Sequence, residues 1–220
     1  MMVMNRFMVL TAACFFALCG VAKADYFVWA DEKTGLTASF PDSWKIIANQ
    51  QPDDILTVAL PSGEDNAKCV IRADLDKRFL IYPQHLRDEV QMVEFSKDFW
   101  KDYNATYQNV QVLGYGDQTG LGKGYASTEM IAYTTPPDEP FENRAAIISV
   151  SNYYDKTYIA GCSSKQDAYS KYATKFLSFM KTIDMKKAYH ELTIGNHPRN
   201  FINGGTLEFK DKNGVSTGRY

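Results

Sequence analysis

Four strand-like runs in the second half of the chain constrain its fold more than any other feature. Aromatic and β-branched residues are frequent in the runs, and glycine, proline and aspartate separate them. The runs cover residues 110–115, 125–134, 145–153 and 157–162. Short connections join antiparallel neighbours, because a parallel crossover needs a dozen or more residues. The sequence therefore predicts an antiparallel meander here.

Further strand patterns precede the meander. Residues 25–31 and 36–40 are β-prone and flank a Lys-Thr-Gly turn, which predicts a β-hairpin. The nearly continuous apolar run 55–60 predicts a central strand. Residues 69–75 alternate between apolar and polar side chains, which places Cys69 on the buried face of a strand.

Helical spacing predicts two helices. The first begins at Pro83, where a missing N–H costs nothing, and extends to about residue 104 with a broad apolar arc that packs on the sheet. The second follows Ser164, which has capping-box spacing to Asp167, and carries an apolar stripe as far as Ile183. The predicted fold class is α+β, a mostly antiparallel sheet flanked by helices.

The first 24 residues have the layout of a cleavable secretory signal peptide. Arg6 gives a basic start, an apolar run covers 7–22, and small residues stand at Ala22 and Ala24. We therefore predict cleavage between Ala24 and Asp25. An uncleaved membrane anchor is the alternative, but the run is shorter than the roughly 20 residues that span a bilayer. No stable membrane anchor is expected after cleavage.

Three segments follow from these patterns: the leader 1–24, a single domain 25–185 and a tail 186–220. The tail lacks periodicity, so we expect a flexible appendage with a possible hairpin at 206–217. Cleavage removes two basic residues and no acid, which moves the formal net charge from −2 to −4. Since no basic run or arginine stripe is present in the sequence, nucleic-acid binding is not expected.

Only two of the four cysteines, Cys69 and Cys162, lie beyond the leader. In an exported protein such a pair favours a disulfide, which would contribute about 4 kcal/mol in the chain-entropy model. The alternative is two unpaired thiols that pack as small hydrophobic groups. A metal site is not expected, because neither cysteine has a second cysteine or histidine at ligand spacing.

The segment 35–44 reads Gly-Leu-Thr-Ala-Ser-Phe-Pro-Asp-Ser-Trp and ends with Phe40, Pro41 and Trp44. Pro41 is expected to end strand pairing, and Trp44 to fold back into the core. This motif is similar to the opening strand of the PsbP-like family, an alpha/beta/alpha sandwich. The fold is shared by the extrinsic photosystem subunit of that name and a Ran-binding nuclear transport factor.

The element order and the closing strand and helix add to this resemblance. Residues 158–162 lead into an amphipathic helix that carries Phe176 and Phe179, and the resemblance covers 25–185. No residues match a photosystem-binding or GTPase-binding site. The resemblance therefore implies only a fold that is used mostly to bind other macromolecules without catalysis.

Catalytic, cofactor and metal motifs are absent from the sequence. The glycine-rich stretch 114–124 lacks the spacing of phosphate or dinucleotide loops, and a flexible hairpin loop is the better interpretation. No Gly-x-Ser-x-Gly elbow occurs, and the histidines include no pair at helical ligand spacing. Asp74 and Asp76 are interpreted as solvated strand-end residues rather than as members of an acid pair with Asp53 or Asp54. We therefore predict no catalytic residues, no cofactor and no metal.

All fourteen tyrosines lie beyond the leader, several of them in the meander. Tyrosine is enriched at recognition surfaces because it offers a large contact area and a polar hydroxyl. The candidate binding surface comprises Tyr115, Tyr125, Tyr133, Tyr153 and Tyr154. Packing within the sheet is the alternative, since strands favour tyrosine on both faces.

The leader, the resemblance and the lack of catalytic motifs together predict a function class. We expect an exported, periplasmic or secreted, non-catalytic binding or assembly module whose partner is another envelope protein. One alternative is a small-ligand binder or weak hydrolase that uses the region of His85 and 114–124. Another is an envelope structural protein without a defined ligand.

Overall fold

The molecule is built on a seven-stranded antiparallel β-sheet. The structure is a computed structural model, and it describes residues 25–49, 51–83, 86–122 and 124–185 with the backbone of 208–210 and 216–219. The predicted leader with Ala24, the histidine His85 and most of the predicted tail lie outside the described residues.

An N-terminal hairpin precedes the sheet. Strand β1 (Tyr26–Ala30) pairs with β2 (Thr37–Pro41) as a separate two-stranded unit. In the turn between them, the backbone N–H and the hydroxyl of Thr34 both donate to Oδ2 of Asp31, at 2.8 and 2.6 Å. Gly35 follows with a φ of 70°, a conformation that glycine adopts without steric cost.

The remaining strands of the described domain form the central sheet. They are β3 (Lys45–Ile46), β4 (Asp54–Ala59), β5 (Lys68–Leu75), β6 (Gln108–Leu121), β7 (Gly124–Thr134), β8 (Asn143–Tyr153) and β9 (Lys156–Lys165). Across the sheet their order is β3-β4-β5-β9-β8-β7-β6, with every neighbouring pair antiparallel. The predicted meander is therefore β6 to β9, and β5 joins it to the N-terminal strands.

Helices cover both faces of this sheet. They are α1 (Arg87–Glu94), α2 (Lys97–Asn104) and α3 (Tyr169–Thr182). Helix α3 and the β1–β2 hairpin share a core with one face, whereas α1 and α2 pack on the other. The predicted α+β class, a mostly antiparallel sheet flanked by helices, is confirmed.

The larger core lies between the sheet, the hairpin and α3. Phe40, Trp44 and Phe179 pack together, with ring centroids 5.7–6.2 Å apart. Leu56 and Val58 of β4 belong to the same buried cluster. Trp44 lies in the turn between β2 and β3 and is 7 % exposed within this core.

Cys69 and Cys162 form a disulfide in this core, which confirms the predicted bond. They face each other on β5 and β9, with their Cα atoms 4.0 Å apart, and both are fully buried. The bond joins residues 93 positions apart in the sequence. It therefore ties the N-terminal strands to the last strand of the meander.

A second core lies beneath α1 and α2, and two buried hydrogen bonds hold α2 to β7. Nε1 of Trp100 donates to Oγ of Ser127 at 2.8 Å, and Nδ2 of Asn104 donates to Oε2 of Glu129 at 2.6 Å. Glu129 is 4 % exposed, and burial raises the pKa of its carboxyl, while the bond from Asn104 opposes that shift. Oδ1 of Asn104 is buried without a hydrogen-bond partner.

The single helix expected from Pro83 to residue 104 is instead two helices. The chain leaves helical geometry at Phe95, with a ψ of 39°, and at Ser96, with a ψ of −178°. This break directs the side chain of Phe95 into the second core, where it is 2 % exposed. Its ring centroid lies 5.0 Å from that of Phe99. The predicted apolar arc does pack on the sheet, but it is carried by two short helices rather than by one long helix.

The stretch 114–124 is mostly strand, so its interpretation as a flexible hairpin loop is wrong. β6 continues to Leu121, and β7 begins at Gly124. Register shifts between Gly116 and Thr119, and a φ of 74° at Gln118, mark a β-bulge. Glycine inside a strand commonly marks such a bulge, which explains the misleading composition.

Two further expectations need correction. β4 is second from the sheet edge rather than central, and its inward side chains are buried because the hairpin shares their core. Ser164 is not a helix cap, because it continues β9 opposite Ala145 and is fully buried there. Helix α3 consequently begins only at Tyr169.

Within the predicted tail, the backbones of β10 (Glu208–Lys210) and β11 (Ser216–Arg219) pair antiparallel. This pairing falls largely within the expected hairpin 206–217. None of the helices in the described part of the chain has the length and apolar character needed to cross a membrane.

Replacing both Cys69 and Cys162 by alanine should lower the free energy of unfolding by about 3–5 kcal/mol, because the bond closes a long loop in the unfolded chain. Urea denaturation of the variant and the wild type measures this difference. Wild type unfolded with a reductant is the control, since it keeps both sulfur atoms. A loss below about 1 kcal/mol in both would contradict a stabilising cross-link.

Glu129→Gln should raise the free energy of unfolding at neutral pH by about 1 kcal/mol, because an amide avoids a buried charge and can donate to Oδ1 of Asn104. A raised pKa means that the folded protein holds this proton to higher pH than the unfolded chain does. The stability of the wild type relative to Glu129→Gln therefore falls as the pH rises above 4.5, the ordinary value, and the two proteins converge in acid. Urea titrations across this range, with the exposed Glu89→Gln as control, measure it. If the difference in free energy of unfolding between Glu129→Gln and the wild type stayed constant across this pH range, a raised pKa at Glu129 would be contradicted.

Candidate functional site

An open groove lies on the sheet face that α1 and α2 only partly cover. Its volume is about 310 Å³. The two helices pack on β7 and β8, and within the described residues no helix lies above the same face of β5 and β9. We call this cavity the sheet groove. Its boundaries are β5, β8 and β9 below, the end of α2 on one side and the 135–142 loop on another.

Strand alternation makes the floor of the sheet groove apolar and shallow. Val70, Gly161 and Ile148 stand side by side on β5, β9 and β8. Gly161 has no side chain, and a Cβ atom there would lie 3.5 Å from Cγ1 of Ile148, an ordinary contact. The space above Gly161 is therefore kept open by the absence of a side chain.

Three tyrosines line the wall beside the helices. The rings of Tyr107 and Tyr133 have centroids 4.4 Å apart, and those of Tyr103 and Tyr107 are 6.2 Å apart. Burial raises the pKa of all three hydroxyls. The hydroxyls are thus protonated at neutral pH and can donate hydrogen bonds.

Two arginines at the groove are already paired with acids. Nε of Arg72 donates to Oδ1 of Asp54 at 2.9 Å. Arg144 forms an ion pair with Glu142, and its Nη2 donates to Oγ of Ser163 at 2.9 Å. These pairs fix the rim of the sheet groove and compensate most of its charge.

Lys68 is the exception among these cations. Its ammonium makes no hydrogen bond or ion pair with the part of the chain that the structure describes. Burial lowers the pKa of Lys68, Arg144 adds to that effect, and Glu139 of the 135–142 loop opposes it. The groove therefore contains a half-buried cation that lacks a close anionic partner.

The five tyrosines predicted as a binding surface do not lie together, and Tyr133 alone of them lines the sheet groove. Tyr125 is fully buried in the second core, and its hydroxyl donates to Asp117 at 2.7 Å. Tyr153 packs against the larger core, and Tyr154 is 47 % exposed in the β8–β9 turn. Tyr115 is half-buried near Lys97.

Sequence reasoning missed most residues of the groove. Tyr103 and Tyr107 lie in or next to α2, outside the meander on which the tyrosine argument concentrated. Lys68 and Arg72 lie on the face of β5 that does not carry Cys69, and the alternation of that strand could have indicated this. The pattern could not reveal that this part of the face is uncovered.

The arrangement is suited to binding. Its polar groups are protonated hydroxyls and cations around an apolar floor, which orient a ligand rather than transfer a proton at neutral pH. Among the described residues, no group of three histidines, cysteines or acids is placed to hold a metal ion. Asp76, which was weighed as one of an acid pair, instead pairs with Arg78 at 2.7 Å.

No family model matches the sequence, and no curated protein matches it. Solved structures do match. A cyanobacterial PsbP from Synechocystis has a TM-score of 0.50 at 14 % identity, over 76 % of this chain and 96 % of that one. A Ran-binding protein of Saccharomyces cerevisiae has a TM-score of 0.45 at 8 % identity, over 74 % of this chain and 96 % of that one. LpqN of Mycobacterium tuberculosis, involved in cell envelope biogenesis, has a TM-score of 0.44 at 10 % identity, over 75 % of this chain and 92 % of that one.

The likeness to the Synechocystis protein extends over nearly all of that chain. At this identity the likeness establishes the fold alone. The strand order, the two helical layers and this likeness together show that the chain has the PsbP-like alpha/beta/alpha fold.

Proposed function

We propose that this chain is an exported, non-catalytic binding or assembly module that holds a segment of another envelope protein in the sheet groove. The observation that carries the proposal is the groove itself, an open apolar floor beside three tyrosines and three cations. Tyrosine and arginine are the residue types most enriched where proteins bind one another.

Export is supported by two features of the chain. The disulfide between Cys69 and Cys162 is fully buried, and such bonds persist in oxidising compartments outside the cytosol. The first 24 residues have the layout of a secretory leader. A periplasmic or secreted location fits both features.

A macromolecular partner is favoured by the mouth of the groove. Phe141, in the 135–142 loop, lines the sheet groove and is 78 % exposed. A partner that covers both this exposed apolar side chain and the apolar floor removes their surface from water, which favours binding. The groove is also open along one side, so a chain segment can enter it without becoming fully enclosed.

A binding role without catalysis is supported by the ionisation of the groove. Burial keeps the hydroxyls of Tyr103, Tyr107 and Tyr133 protonated at neutral pH. The acids near the floor are engaged with Arg72 and Arg144. A general base that titrates near neutrality is therefore not provided by these groups.

Filling the groove should abolish capture of the partner. Gly161→Leu places a side chain in the open space above the floor, whereas Gly161→Ala adds a Cβ at ordinary contact distance and is the matched control. We expect the exported, C-terminally tagged wild type and Gly161→Ala to enrich the same envelope protein from native extract. Gly161→Leu should enrich it at least about tenfold less, a change of about 1.4 kcal/mol.

Each variant's urea unfolding curve shows whether it is folded. If folded Gly161→Leu captures as much partner as Gly161→Ala, the groove is not the binding site. If no envelope protein is enriched reproducibly by the wild type at native abundance, the proposed function is wrong.

A further inference from the structure

We infer that Lys68 makes the sheet groove a site for a carboxylate group that the bound segment presents beside an apolar side chain. This inference rests on the proposed function and specifies the chemistry of the partner. The carboxylate can come from a chain terminus or from an acidic side chain, since both offer the same planar, singly charged group.

Hydrogen-bond donors converge at the Lys68 end of the groove. Lys68 faces Ser163 across the β5–β9 pairing. Oγ of Ser163 accepts a hydrogen bond from Arg144. A further side-chain hydrogen bond joins Ser163 to the Tyr133 hydroxyl, which uses one hydroxyl proton of this pair and leaves the other to donate. Tyr133, whose buried hydroxyl is protonated, faces Arg144 across the β7–β8 pairing. An anion beside Lys68 would therefore meet a cation and at least one hydroxyl donor.

The balance of charge selects a single anionic group. Arg72 and Arg144 already hold Asp54 and Glu142, whereas Lys68 has no close acid among the described residues. Burial and Arg144 both disfavour the charged ammonium of Lys68. A carboxylate placed against it relieves that cost, and the ion pair is stronger than a surface pair because it is partly shielded from water.

The apolar floor next to Lys68 would bind the apolar side chain that accompanies the carboxylate. Val70 lies two positions along β5 on the same face, beside Gly161 and Ile148. An apolar side chain adjacent to the carboxylate fits over these residues and against the wall of Tyr107 and Tyr133. Phosphate or sulfate alone would leave this apolar floor empty.

Glu139 competes with a bound carboxylate for the positive charge of Lys68. This exposed acid in the 135–142 loop favours the charged form of Lys68 without forming an ion pair with it. A bound carboxylate would take over that role at closer range. Removing the charge of Glu139 should therefore strengthen carboxylate binding rather than weaken it.

The test uses three small probes with the mature protein, followed by NMR titration of the backbone amides of Lys68, Gly161 and Ser163. The probes are N-acetylphenylalanine, its neutral amide, and the amide of N-acetylglutamylphenylalanine. The first mimics a chain terminus, the second removes the charge, and the third offers a side-chain carboxylate. We expect one of the two acids to bind at least about tenfold more tightly than the neutral amide.

Four variants assign that preference to a residue. Lys68→Met should abolish it and Lys68→Arg should retain it, because only the arginine keeps the charge. Glu139→Gln should strengthen acid binding a few-fold. Lys45→Met removes an exposed lysine of β3 and should change nothing. The tighter of the two acids identifies the terminus or the acidic side chain as the source.

The carboxylate inference is overturned if the acids and the amide bind equally to the wild type, if no probe shifts the three amides, or if Lys68→Met keeps the preference. In those cases a loss of partner capture by Gly161→Leu would leave the proposed function standing. Conversely, a clear acid preference with unchanged capture by Gly161→Leu would show a carboxylate site and reject the envelope-protein partner at the groove.

Discussion

The pairing of β5 with β9 is the interaction on which the rest of the structure depends. Every residue of β5, from Lys68 to Leu75, has a partner on β9. This pairing joins strands that lie far apart in the sequence, and the disulfide fixes it on the buried face. Because side chains alternate, a slip of one residue in this pairing would exchange the buried and groove faces of β5 relative to those of β9. The register thus sets the cross-link and the groove floor together.

The groove exists because the two sheet faces are covered unequally. Helix α3 and the hairpin complete the core over β4, β5 and β9, whereas α1 and α2 cover mainly β7 and β8. The break at Phe95 precedes α2, and the hydrogen bonds from Trp100 and Asn104 hold α2 on β7. The place where α2 ends brings Tyr103 and Tyr107 to the groove, so a structural detail of one core forms the wall of a binding site.

The sequence predicted the parts of this molecule that follow from local periodicity. Alternation in β5 placed Cys69 inside, and the meander followed from its short connections. The helix break and the bulged strand 108–121 were not predicted, because both depend on how elements meet in space. Alternation in β5 could also have located Lys68 and Arg72 on the second face, whereas the five tyrosines of the predicted surface are spread over the fold. Composition cannot distinguish buried Tyr125 from groove-lining Tyr133.

The register of β5 on β9 is tested most directly by NMR cross-peaks between α-protons across the two strands. Opposed residues of the closely spaced kind bring their α-protons together, and the 4.0 Å between the Cα atoms of Cys69 and Cys162 is of that kind. The observed register predicts strong cross-peaks between Cys69 and Cys162 and, two residues along, between Ile71 and Ala160. Cross-peaks that instead join Cys69 to Gly161 or to Ser163 would contradict it.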